Sequence, residues 1–168
     1  MVMGSKKGVI ITVVVLVAIT IGSFMVWLDN PSNTEMTIVV TDFENHDAGI
    51  YERHNIVSNA VQESFSEFMN EEISLEEYIR IAETSSSQNN ALLMELASSD
   101  APEEWQESYI NYMNGMKKFN EYILETKVLA NQIKNEISDV EILQTIDKIQ
   151  SIKAESIEFI KKSNELRP

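Results

Sequence analysis

The chain contains no cysteine, which excludes disulfides, thiol nucleophiles, thiolate metal sites and a lipid-modified cysteine. Only two histidines occur, and no Glu-x-x-His pair, so the di-iron site of ferritin-like bundles is not supported. The five glycines are scattered and form no phosphate-cradling loop, and no serine stands in a Gly-x-Ser-x-Gly elbow. The one Asn-x-Ser triplet, Asn30-Pro31-Ser32, is blocked for glycosylation by its proline. Positive charge is scarce over residues 29–107, where Arg53 and Arg80 stand alone against 18 carboxylates. Such a surface repels nucleic acid and anionic lipid, so no nucleic-acid partner is expected.

What is abundant is apolar sequence near the start. Twenty uncharged residues run from Val9 to Leu28, and thirteen of them are Val, Ile, Leu or Phe. At about 1.5 Å per residue a helix of this length spans roughly 30 Å, the thickness of a bilayer's hydrocarbon core. A signal-peptide core is shorter and ends in a small-residue cleavage site, which does not follow Trp27. Lys6 and Lys7 precede the run, while Asp29 and Glu35 follow it, so the N-terminus is expected in the cytoplasm. Ala18 and Gly22 form a small-xxx-small pair. Incidental small residues in a lone span explain the pair as simply, and a homodimer is not the favoured reading.

Beyond residue 28 the chain holds 27 acidic and 11 basic residues, a balance of −16. The whole deficit lies in residues 29–107, because residues 108–168 carry nine charges of each sign. Asn30, Pro31, Ser32 and Asn33 are turn formers, and Thr37-Ile38-Val39-Val40 is too short to support a sheet.

Four helical patterns follow. The first spans about Glu44 to Asn70, with Ile50, Val57, Val61, Phe65 and Phe68 on one face. The second opens with a capping box, Ser74 and Glu77, with Ile73 and Tyr78 placed as a hydrophobic staple. Its face continues through Leu75, Ile79, Ala82, Leu92 and Leu96, and the run Ser85–Asn90 predicts a bend or thinly packed turn. The third follows Pro102, with Asp100 as its predicted cap. Its seam is Trp105, Tyr109, Tyr112, Met116, Phe119, Ile123, Thr126, Ala130, Ile133 and Ile137, spaced four and three apart. Past Ile137 that register would bury Gln144 and Asp147, whereas the apolar face is Ile142, Ile146, Ile149 and Ile160. The chain is therefore expected to reverse at Ser138, which repeats the capping-box spacing with Glu141.

The expected fold is all-α, a transmembrane helix followed by an antiparallel up-down four-helix bundle. Its parts are a cytoplasmic tip (1–7), an anchor (8–28) in contact with membrane lipid, a linker (29–43) and an extracytoplasmic bundle (44–168). The far turns of such a bundle gather Glu71, Glu72, Glu76, Glu77, Glu136, Asp139 and Glu141. They are candidate contacts for a basic envelope protein, Glu136 only through its place in the turn.

No catalytic constellation is visible, and neither a metal nor another cofactor is expected. The cluster Asp42, Glu44, His46 and Asp47 reads as helix-start capping rather than a cation site, because it lacks the glycine and final glutamate of an EF-hand loop. Met113, Met116 and Trp105 read as core filler rather than a soft-metal site.

The order of anchor and bundle resembles the extracytoplasmic sensor domain of bacterial chemoreceptors. The sequence departs from that pattern, because it ends at Pro168 with neither a second span nor a signalling region. The stretch Ala101-Pro102-Glu103-Glu104-Trp105 opening a long helix is similar to small anchored helical proteins of prokaryotic envelopes. These resemblances imply architecture rather than activity. The expected function is a binding or scaffolding module that holds an envelope partner near the membrane, with a ligand sensor that acts with a partner membrane protein as the alternative. A pilin-like subunit is a remote reading, prompted by Lys7-Gly8 before the apolar run.

Overall fold

The computed structural model describes residues 40–168. The anchor, its Ala18/Gly22 pair and most of the linker lie outside the described residues. Among the described residues no helix is long and apolar enough to cross a membrane.

Four helices make up this region: α1 (Phe43–Met69), α2 (Leu75–Ala97), α3 (Glu103–Lys134) and α4 (Asp139–Glu165). The Asp42 carboxylate caps α1 by accepting from the Asn45 amide at 3.0 Å. Ser74 caps α2 by accepting from the Glu77 amide at 3.1 Å. The other two starts differ from expectation. Asp100 does not cap α3; it adopts a left-handed φ of 47° in the turn, and Pro102 takes the cap position without a side-chain bond. Ser138 gives its hydroxyl to the Glu141 carboxylate at 3.1 Å, so the backbone amides of α4 receive no side-chain cap.

Side-chain pairs fix the topology. Arg53–Glu95 and Phe65–Tyr78 set α1 antiparallel to α2, and Asn89–Met116 with Glu83–Lys127 does the same for α2 and α3. Ser108–Ser163 and Glu125–Lys148 run α4 back along α3. The result is an up-down-up-down arrangement. One end, here the tip, carries the α1–α2 and α3–α4 turns; the other, the base, carries the α2–α3 turn.

Every α3 seam residue from Trp105 to Ala130 is buried, and Ile137 falls in the exposed turn. Additional buried residues of α3 (Ser108, Gly115, Tyr122 and Leu129) reflect its central place between α2 and α4. A Cβ at Gly115 would meet Ile160 Cγ1 at 2.6 Å, so the absence of a side chain there lets α3 and α4 approach closely. The Ser85–Asn90 stretch does not break α2, and its inner face is packed. Ser85 and Asn89 are buried, and Asn89 donates to the Met116 carbonyl at 2.8 Å. Their short side chains are accommodated in the interior, where a larger helix former would need more room.

Candidate functional site

Three places carry chemistry: the acidic tip, the polar base and a groove between α2 and α3.

At the tip, Glu71, Glu72, Glu76, Glu77, Glu136, Asp139 and Glu141 are all exposed, and the two turns lie at the same end. The group is less uniformly free than its sequence implies. Lys134 Nζ stands 3.6 Å from Glu76 and lowers the Glu76 carboxyl pKa, behind the larger effect of a backbone hydrogen bond. Arg80 reaches Glu77 at 4.0 Å. Among the described residues no cation lies within ion-pair distance of Glu71, Glu72, Asp139 or Glu141. Glu71 and Glu136 hold left-handed φ values of 59° and 52°. Each closes its helix in a Schellman turn: Glu72 N–H bonds Glu67 O, and Ile137 N–H bonds Gln132 O.

The base holds groups that the apolar pattern does not mark. Asp47 is 1% exposed and pairs with Arg167 at 2.5 Å. Burial raises its pKa, against the opposing charges of Arg167 and His46. His54 is 3% exposed, bonds the Tyr112 hydroxyl through Nδ1 at 3.1 Å, and meets Phe119 edge-on. Burial lowers its pKa to about 4, which keeps the imidazole neutral near pH 7. His46 bonds the Tyr109 hydroxyl at 3.2 Å and stands 3.5 Å from Glu95, which Arg53 grips with two bonds of 2.7 and 2.8 Å. Among the described residues no three acidic or histidine side chains are placed to hold a metal ion. The suggested cation cluster is instead divided among separate duties. Asp42 caps α1, Asp47 pairs with Arg167 and His46 binds Tyr109. Met116 is fully buried beside Trp105 in the base core, with Met113 packed against it.

A signal for the buried polar groups was present in the spacing. Asp47, Ile50, His54, Val57, Val61, Ser64 and Phe68 step by three and four, so the interval of seven between Ile50 and Val57 contains His54 in core register. On α2, Ser85 and Asn89 occupy the same register between Ala82 and Leu92.

Two surface grooves adjoin α3. One, about 250 Å³, is lined by Glu83, Ser86, Ser87, Asn120, Ile123, Leu124 and Lys127. Asn120 is half-buried, donates to Asn90 Oδ1 and accepts from Ser86. The other, about 420 Å³, runs on towards the tip past Leu124, Val128 and Ile137.

No known protein family, curated protein or solved structure matches the chain.

Proposed function

We propose that the protein is a membrane-anchored, extracytoplasmic binding or scaffolding module that uses its acidic tip to hold a basic envelope protein. The observation that carries this reading is the exposed set Glu71, Glu72, Asp139 and Glu141, which lacks cations within the described bundle. Exposed charge of one sign steers encounter with the opposite sign more than it adds affinity. Residues 8–28 supply the anchor and the two preceding lysines its orientation. The order of anchor and bundle supports a likeness to small envelope proteins of this architecture, and among the described residues no catalytic arrangement supports an enzyme.

Right-side-out vesicles treated with a membrane-impermeant crosslinker test both parts of the proposal. Wild-type protein should be joined from outside to a partner with a basic surface. Recovery should fall at high salt, as the Debye length shortens from about 10 Å at 0.1 M to about 3 Å at 1 M. Replacing Glu71, Glu72 and Glu141 by Gln and Asp139 by Asn should reduce recovery at low salt. Crosslinking only after lysis overturns the topology, and recovery indifferent to salt and to the four substitutions overturns the acidic contact.

A ligand sensor acting with a partner membrane protein is the second reading. It is favoured by the small groove in which Ser86, Ser87 and Asn120 face the Glu83–Lys127 ion pair. At about 250 Å³ the groove lies just below the range usual for small-molecule sites, roughly 300–1,000 Å³.

A further inference from the structure

The contacts that hold α4 are unequal. Against α3 they extend along its length: Ser108 donates to Ser163 O at 2.9 Å, Ser156 donates to Gly115 O at 2.8 Å, and Lys148 reaches Glu125 at 2.7 Å. Against α1 the polar links among the described residues are two. Lys153 donates to Gln62 at 2.7 Å, and Arg167, just past the end of α4, pairs with Asp47 while lying 5.7 Å over the Tyr51 ring. Below Lys153 the apolar contribution of α4 to the base core is Ile160, whereas Ile149 and Ile152 belong to the tip core.

This seam is also where hydrogen bonding is least complete. Among the described residues, seven buried side-chain polar atoms have no hydrogen-bond partner. Three of the seven belong to Asp47 and Arg167, which meet across this seam, whereas His46 and His54, with one each, pack against α2 and α3. Arg167 Nη2 lies beside Asp47 Oδ2 as a charge pair, while Asp47 Oδ1 and Arg167 Nε and Nη2 have no hydrogen-bond partner. Buried polar groups without partners favour states that admit water. Parting α1 from α4 at the base would therefore hydrate these groups while giving up little apolar contact.

We propose that the base half of the α1–α4 seam is the opening side of the bundle, with Arg167 on Asp47 as its latch. In the closed state the guanidinium compensates a carboxylate that α1 buries. Once it is released, Asp47 is a buried charge without a counterion and must gain water, so the seam parts while α4 stays on α3. Opening exposes Asp47 and Tyr51, the two α1 side chains that meet Arg167.

The cysteine-free chain accepts paired labels without background. Spin labels at Asn55→Cys and Glu158→Cys report the α1–α4 seam, and labels at Ala91→Cys and Lys117→Cys report α2–α3 as a control. Arg167→Gln should lengthen and broaden the first distance and leave the second unchanged. Amide exchange over residues 44–58 should quicken at least about tenfold in this variant, while residues 78–96 keep their protection. Adding Asp47→Asn should restore the closed distance by removing the charge that demands water. An unchanged seam, or equal loss of protection in all four helices, overturns the latch. The unmodified full-length protein gives an independent test, because native-state exchange should show the base of α1 opening below the global unfolding free energy. A single common opening for all helices would refute the proposal.

Discussion

At the tip, Val57, Val61, Ile123, Leu129, Ile149 and Ile152 pack with Tyr78 and Tyr122. The Tyr78 hydroxyl donates to Thr126, which donates in turn to the Ile123 carbonyl, so that chain of hydroxyls is satisfied. At the base, Trp105, Tyr109 and Tyr112 share the interior with a carboxylate and two imidazoles. Both ends bury apolar side chains, which do not respond to pH, but the base also buries groups whose charge does. Stability in the two ends therefore answers to different conditions, and perturbations confined to one end distinguish them.

The largest expected effect is a carboxylate placed in the tip core. Leu129→Asp buries a charge where no guanidinium waits, unlike Asp47, and should cost about 3–5 kcal/mol in chemical denaturation. Ile110→Asp, at a residue 52% exposed on the same helix, should change stability by less than about 0.5 kcal/mol. Similar costs for the two would show that the tip interior is not dry.

A smaller effect comes from acid and belongs to the base. His54 has a folded pKa of about 4 against an ordinary 6.5. Above pH 6.5 the fold pays no penalty for it; as pH falls from 6.5 to 4, the unfolded chain takes up a proton that the folded chain refuses. Stability should drop by about 3 kcal/mol across that window. Asp47 works with the opposite sign. Its raised pKa favours the folded state as pH falls through the folded value towards 3.8, which offsets part of the loss at the acid end. Urea midpoints at pH 7 and pH 4.5 should therefore differ strongly for wild type and much less for His54→Gln. A variant that keeps the full slope would move its origin away from the base.

The smallest effect returns to the tip. Glu71 and Glu136 occupy left-handed positions that glycine takes without steric cost. Glu71→Gly and Glu136→Gly should each raise stability, by about 0.5–1 kcal/mol in denaturant titrations. Loss of stability in either variant would mean that its side chain contributes more at the tip than its exposure implies.

The helices were legible because their signals are local. Ser74 with Glu77 marked the start of α2, and the two-residue displacement between the α3 and α4 faces located the reversal that the structure places between Lys134 and Asp139. Proximity of the two tip turns followed from helix count and short loops alone. The same spacing did not show that Glu76 would have a cation beside it, since Lys134 comes from a different helix, whereas Arg80 lies three residues after Glu77 on α2 itself.

By itself, then, the amino-acid sequence determined four amphipathic helices, their order and the apolar part of each seam, because hydropathy period and end chemistry act within a few residues along the chain. Tertiary structure alone decided that Asp47, His54 and Asn89 are interior, and that Asp47 faces Arg167. A polar residue in core register is worth burying only if a partner arrives from another helix, and that partner is set by how the helices pack.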